Sequence, residues 1–319
     1  MRTLAILCLL AGCGASPAEP SPAEPAARAD AEPERDPLTA AREAFADGRC
    51  ELPRGSDGAA TRGPLIYAES GSKRLHLDLT RPEGEGPHPV AALFHGGGFH
   101  GGDEDHLAGL ARDLAAAGWA AARIEYRLAG REHPDFPAPV SDARCAVRYL
   151  RAEAADLGID PERVVAIGFS AGGHLAAALA LQADDGRLDG TCLHGGPPDV
   201  RGAVAFYAPL DLRPEVPWDA SADRLFTRFL GKPREEARAL AALASPVSAS
   251  DPKDAPLLVI SAEDDAIVPR AVTDHALEQL SDAPHAHLVQ AGAGHGFGLL
   301  GEEDPRAATC AVLAYLDAI

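Results

Sequence analysis

Lysine is nearly missing from this chain: only Lys73, Lys232 and Lys253 occur among 319 residues, and 29 Lys+Arg stand against 48 Asp+Glu for a formal charge of −19. Proteins that grip nucleic acid or anionic lipid through a basic patch do so by cation–phosphate contacts, so this composition argues against both partners. No apolar run approaches the ~20 residues that cross a bilayer. No self-similarity appears at a period of about 20 to 50 residues, which excludes a solenoid. What the chain does have is apolar material, 46% of it, enough for a large core and too much for a disordered chain. At about 150 residues per domain the length suggests two domains, although single α/β domains often reach 250 or more.

The first residues read as an address. Met1-Arg2-Thr3 is a short positive start, Leu4 to Leu10 a compact apolar stretch, and small residues follow, the layout of a cleaved export signal. Leu10-Ala11-Gly12-Cys13 resembles the lipobox of bacterial lipoproteins. That resemblance implies a signal peptide over residues 1–12, lipidation of Cys13, and an exported protein held on a membrane facing the periplasm or cell exterior. Each buried CH₂ of an acyl chain contributes about 0.8 kcal/mol, so several chains hold a soluble domain firmly. Residues 13–37 carry prolines at 17, 20, 22, 25, 33 and 37 and cannot bury enough surface to fold, so they are expected to form a semi-stiff linker. Residues 38–64 are expected as an N-terminal extension, with helical spacing over Leu38 to Asp47, ahead of a catalytic domain at 65–319.

From Leu65 the pattern becomes regular. Leu75, Leu77 and Leu79 alternate with polar residues, as in a strand with one wet face, whereas Val90 to Phe94 is continuously apolar, as in a strand covered on both sides. Similar runs recur at Ala121–Tyr126, Val164–Gly168, Ala203–Tyr207, Leu257–Ser261 and His287–Gln290, with helical spacing between several of them. Strand and helix in alternation predict an α/β fold with a mostly parallel central sheet and helices on both faces.

In such a sheet chemistry collects at the carboxyl ends of the strands. After Val164–Gly168 comes Gly168-Phe169-Ser170-Ala171-Gly172, the G-x-S-x-G pattern that places a serine on a sharp strand-to-helix turn. The competing reading is a serine that merely caps the helix. After Phe94 comes His95-Gly96-Gly97-Gly98-Phe99, where the amides of Gly97 and Gly98, with that of Ala171, can converge on an oxyanion. Phosphate binding is the poorer reading, because there is no G-x-x-x-x-G-K-[ST] and no G-x-G-x-x-G with an acidic ribose partner in place. A metal site built from His95, His100, Asp103, Asp105 and His106 leaves the glycines unexplained. A serine hydroxyl needs an imidazole to take its proton and a carboxylate to orient the imidazole. His295, among glycines after the last apolar run, fits the base, and Glu263, Asp264 and Asp265 are all placed to supply the acid.

From Leu65 to Leu316 these motifs resemble the α/β-hydrolase superfamily, in its hormone-sensitive-lipase-like branch of bacterial carboxylesterases, feruloyl esterases and acetyl esterases. The resemblance runs through Leu77-Asp78-Leu79-Thr80-Arg81-Pro82, the HGGGF loop at 95 to 99, Tyr126-Arg127-Leu128, Phe136-Pro137-Ala138 with Asp142, the GFSAGGH stretch ending at His174, Ser245-Pro246, Asp265-Ala-Ile-Val268-Pro269 and Gly294-His295-Gly296-Phe297. It implies a Ser170-Asp265-His295 triad, Asp265 because it stands three residues before Val268-Pro269, with Asp264 in reserve. It further implies a serine carboxylic-ester hydrolase that forms an acyl-enzyme on short-chain or carbohydrate-linked acyl esters, without metal or organic cofactor. An arylformamidase-like amide hydrolase and a catalytically silent surface binding protein are the alternatives. Glu125 and Ser261-Ala262 depart from the family pattern, and Gly186–Val200 reads as an insertion beside the expected pocket rim. Arg213 to Leu243 has room for only a small helical cap. With Cys8 in the signal and Cys13 lipidated, Cys50, Cys145, Cys192 and Cys310 remain, and an even number in an exported domain predicts at least one disulfide with three pairings open.

Overall fold

The computed structural model describes residues 35–51, 53, 59–130, 135–280, 282–299 and 305–319. The expected signal peptide, the Cys13 lipidation site and most of the linker lie outside the described residues. Arg35–Ile319 forms one compact unit.

The chain begins with helix α1 (Pro37–Asp47), then the hairpin β1 (Ala60–Ser70) and β2 (Lys73–Arg81), then β3 (His88–Phe94). Next come α2 (Ala108–Ala116), β4 (Ala120–Ile124), α3 (Ala138–Ala152), the single turn α4 (Ala154–Leu157) and β5 (Ile159–Phe169). The second half runs α5 (Ala171–Leu181), β6 (Gly202–Phe206), α6 (Ala220–Leu230), α7 (Arg238–Leu243), β7 (Leu257–Ala262), α8 (Arg270–Leu277), β8 (His285–Gln290) and α9 (Arg306–Asp317). The eight strands form one sheet in the order β1-β2-β4-β3-β5-β6-β7-β8. β1 and β2 are antiparallel to their neighbours, and from β4 to β8 every pairing is parallel.

Successive residues of a strand point to opposite faces, and β3 shows why its run is apolar throughout. Val90, Ala92 and Phe94 pack into the core that holds α3 and α5. Ala91 and Leu93 pack into the one that holds α1, α2 and α9. Helices therefore cover both faces of the sheet, as the alternation of elements predicts. Arg213 to Leu243 supplies α6 and α7, and Phe229 of α6 stacks on Phe99 with ring centroids 3.8 Å apart, pressing this small cap onto the glycine loop.

The expected boundaries at 37 and 65 need correction. Pro37 opens α1, and the Asp36 carboxylate accepts from the Thr39 amide at 2.9 Å, so the linker's last residues start a helix. An 11-residue amphipathic helix is marginal alone. It is held because Leu38 and Ala41 bury in the same core as α9 and because Cys50 is bonded to Cys310. Residue 65 falls inside β1, which already pairs with β2 from Ala60 opposite Arg81. The extension is thus part of the hydrolase-like unit and not a separate segment.

The Gly186–Val200 insertion also lies elsewhere than expected. α5 carries the chain about 16 Å away from the carboxyl ends of the strands, so the segment after it emerges at the amino end of β6, where the Arg201 amide donates to the Val164 carbonyl. There Arg144 and Arg148 of α3 both grip Asp189 at 2.8 and 2.7 Å. Ser141 Oγ donates to the Leu188 carbonyl, and Cys145 is bonded to Cys192. Both disulfides therefore form, and each uses one helical cysteine. Closing a 47-residue loop stabilises by about 4 kcal/mol in the chain-entropy account. Cys145→Ser with Cys192→Ser is expected to lower the urea unfolding free energy by about 2 to 4 kcal/mol. Mass spectrometry of the unreduced wild-type protein should find two disulfides, and free thiols at these four positions would refute the pairing.

Candidate active site

Backbone crowding makes the turn after β5. A β-carbon on Gly168 would lie 2.0 Å from the Gly172 carbonyl oxygen, and one on Gly172 would lie 2.1 Å from that of Phe94. Only glycine lets strand and helix approach so closely. Between them Ser170 takes φ +53° and ψ −116°, a strained conformation for a residue with a side chain. Its hydroxyl makes no capping bond to α5. Instead Ser170 Oγ lies 3.0 Å from His295 Nε2. The helix-capping reading therefore fails.

The imidazole continues the chain. His295 Nδ1 lies 2.8 Å from Asp265 Oδ2, and the Asp265 side chain is fully buried. Asp265 Oδ1 accepts from the amides of Ile267 and Val268, each at 2.8 Å, so the carboxylate is fixed from both sides. The neighbouring acid Glu263 turns away to accept from the Gly292 amide at 3.0 Å, and the Asp264 amide donates to the Ala293 carbonyl. Of the three candidate acids the structure brings only Asp265 onto the histidine.

The glycine loop borders the same cleft. Gly97 has φ +130°, and a β-carbon there would meet the Gly101 carbonyl oxygen at 2.1 Å. His100 and Gly101 both donate their amides to the Gly97 carbonyl, which turns that carbonyl away and closes the loop. Ala171 is the first residue of α5, where an amide has no intrahelical acceptor. Gly97, Gly98, Ser170 and His295 border one cleft of about 790 Å³, walled by Leu107, Leu110, Phe297 and Leu299.

The residues of the rival metal reading are engaged otherwise, with His100 Nδ1 donating to the Gly98 carbonyl at 3.0 Å. His95 Nδ1 donates to the Gly96 carbonyl at 2.7 Å and its ring stacks on Tyr126, while Asp105 accepts from Arg123 at 2.6 Å. Burial pushes the His95 imidazole below its ordinary range. Glu125, which departs from the family pattern, pairs with Lys73 at 2.9 Å and with His76 at 2.8 Å, away from the cleft. Ser261 accepts or donates a 2.6 Å bond with His287 Nε2 beneath the acid loop.

One residue of the site went unread in the sequence. Tyr207 follows β6 at φ +36°, its ring centroid 4.7 Å from that of His295. It ends an apolar run, so the same carboxyl-end rule that picked out Ser170 was available for it.

Such an arrangement can move a proton from a hydroxyl to an imidazole held in one tautomer, beside a glycine loop on the same cleft. Beneath it, His174 in the first turn of α5 is fully buried, donates from Nδ1 to the Pro209 carbonyl at 2.7 Å, and packs edge-on to Phe99. Burial lowers its imidazole to about 4. The folded state thus holds His174 neutral while an unfolded chain protonates it near ~6.5. Proton uptake by the unfolded chain alone therefore leaves stability untouched above about pH 6.5 and lowers it as pH falls toward 4, by about 3 kcal/mol over the window. His174→Gln should flatten urea denaturation midpoints between those pH values, and an unchanged slope would sink the assignment.

The BD-FAE family matches residues 77–280. Among curated proteins the chain is similar to esterase LipC of Mycobacterium tuberculosis, 27% identical over 75% of this chain and 60% of that protein. It is also similar to the probable carboxylic ester hydrolase LipM of the same organism, 30% identical over 75% of this chain and 57% of that protein. The chain thus spans about three fifths of the length of these relatives. Among solved structures it is similar to apo esterase 2 of Thermogutta terrifontis, with a TM-score of 0.64, 25% identity, and coverage of 84% of this chain and 94% of that one. The matched strands, the glycine loop and the serine turn all fall within one pattern, and the chain belongs to the BD-FAE family, built on the α/β-hydrolase fold.

Proposed function

We propose that this protein is a serine carboxylic-ester hydrolase. The observation that carries the reading is the unbroken line from Ser170 Oγ to His295 Nε2 at 3.0 Å and from His295 Nδ1 to Asp265 Oδ2 at 2.8 Å, with Ser170 strained and free of any capping role. His295 takes the Ser170 proton as Oγ attacks the ester carbonyl, and the amides of Gly97, Gly98 and Ala171 receive the oxyanion. Asp265 holds the imidazole in the tautomer with hydrogen on Nδ1 and stabilises the imidazolium. The same proton passes from His295 to the departing alcohol, leaving an acyl-Ser170. Water, deprotonated by His295, then attacks the acyl carbon and frees the acid and the serine.

Short-chain or carbohydrate-linked acyl esters are the proposed substrates. In support of this, the helices α6 and α7 add only Leu225 to the apolar wall of Leu107, Leu110, Phe297 and Leu299, so no long apolar lid extends the cleft. Export as a lipoprotein on a membrane is part of the same proposal, supported by the Leu10-Ala11-Gly12-Cys13 sequence and the proline-rich stretch behind it.

Ser170→Ala is expected to abolish hydrolysis of p-nitrophenyl acetate while leaving the urea midpoint near that of the wild type, and retained turnover would overturn the reading. Asp265→Asn should lower kcat by about 10³-fold to 10⁴-fold, whereas Asp264→Asn should change it little. Cys13→Ala should move the protein from the membrane fraction to the soluble fraction of its expression host, and an unchanged distribution would refute the anchor.

A further inference from the structure

Phe206 and Tyr207, at the end of β6, touch both halves of the relay. The Phe206 carbonyl accepts from the Ser170 amide at 2.9 Å, fixing the turn that presents the hydroxyl. The next residue reaches the other way: Tyr207 OH donates to the Phe297 carbonyl at 2.9 Å, two residues beyond His295. Its ring centroid lies 4.7 Å from that of His295 and 5.2 Å from that of Phe297. The Tyr207 amide donates to the Ile260 carbonyl at 2.7 Å, which ties its backbone to β7, the strand that leads to Asp265. Tyr207 is buried, and it borders the cleft.

We infer that Tyr207 is a positioning residue for His295, holding the imidazole between Ser170 and Asp265 through its hydroxyl tether and its ring. This rests on the serine-hydrolase reading of the same site. Three features point to it. First, an aromatic residue at φ +36° is strained, and such strain persists only where surrounding structure over-determines it. Second, the segment after β8 that carries His295 is a loop, and loops are more mobile than the elements they join. A bond from a buried phenol to the carbonyl of Phe297 removes that freedom at the one place where a ring must face two partners at once. Third, the Tyr207 ring lies against that of His295, tilted by 57°, so it limits how far the imidazole can swing out of line between Ser170 and Asp265.

Those properties separate a positioning role from simple packing. Tyr207→Phe keeps the ring and removes the tether. It is expected to lower kcat for p-nitrophenyl acetate by about tenfold with KM within about twofold of wild type, because a misplaced base slows the proton transfer and leaves the cleft that binds the ester intact. The rate at which a fluorophosphonate labels Ser170 should fall in parallel, since that attack uses the same base. Tyr207→Leu, which also removes the ring, should lower both rates further. All rates are taken per labelled active site, so a variant that folds only in part does not mimic the effect.

A Tyr207→Phe protein with wild-type kcat and labelling rate would overturn the inference. So would a loss confined to KM, or one that disappears on normalising to labelled sites. If Tyr207→Leu does not fold, the phenylalanine variant decides alone. If wild-type protein neither turns over ester nor accepts the label, the hydrolase reading itself fails and takes this inference with it. Active wild type with indifferent Tyr207 variants refutes only the inference.

Discussion

Backbone packed directly against backbone, where β5 turns into α5 beside the end of β3, is the constraint from which the site follows. The carbonyls of Phe94 and Gly172 occupy the space that β-carbons at Gly172 and Gly168 would need. That closeness forces the chain to reverse within one residue, and Ser170 takes the strain, of order 1 to 3 kcal/mol for such a conformation. The offset comes from α5, whose residues from Ala171 to Leu181 are all buried. A helix so uniformly apolar has no wet face. Its role is to be a fixed floor beneath a strained turn.

The other two members of the relay are placed by an extension of the sheet beyond its formal ends. β7 and β8 pair in parallel from Leu257 opposite His285 to Ala262 opposite Gln290. Past that point the Glu263 amide still donates to the Gln290 carbonyl, the Asp264 amide donates to the Ala293 carbonyl, and the Glu263 carboxylate accepts from the Gly292 amide. The acid loop and the histidine loop are thus laced together just before Asp265 and His295 diverge to meet through their side chains. Phe206 and Tyr207 join this pair to the serine turn from the neighbouring strand. Adjacent strand ends therefore supply the geometry of the site in one contiguous patch of hydrogen bonds.

Much of this was legible in the sequence, for identifiable reasons. Strands buried on both faces must be apolar at every position, and so β3, β6 and β7 announced themselves. Ser170 and His295 stood out because each is set among glycines at a strand end. The acid stayed ambiguous among Glu263, Asp264 and Asp265 until family likeness chose, because which of three consecutive acids faces inward depends on a turn conformation that residue types do not show. Cysteine pairing was hidden for a related reason: Cys50 and Cys310 meet only because α1 docks on α9, a contact across 260 residues. Family likeness alone does not locate the Gly186–Val200 segment, because the length of α5 carries it to the far end of the sheet. Tyr207 ends an apolar run and is buried as such a run predicts, but the bond its hydroxyl makes across 90 residues to Phe297 leaves no mark in the local pattern.

The Cys50–Cys310 bond also changes the topology of the molecule as an object. It joins the two ends of the described unit, with Arg306 donating to the Cys50 carbonyl beside it. Nearly the whole fold is then a covalent ring, with the α3 disulfide closing a smaller ring inside it. A protease that cuts one surface loop between residues 50 and 310, outside the stretch from Cys145 to Cys192, linearises that ring without separating two fragments, so the strands on either side of the cut remain at high effective concentration and can re-pair. For this fold one cut is an opening; parting it takes two, or one cut and a reductant.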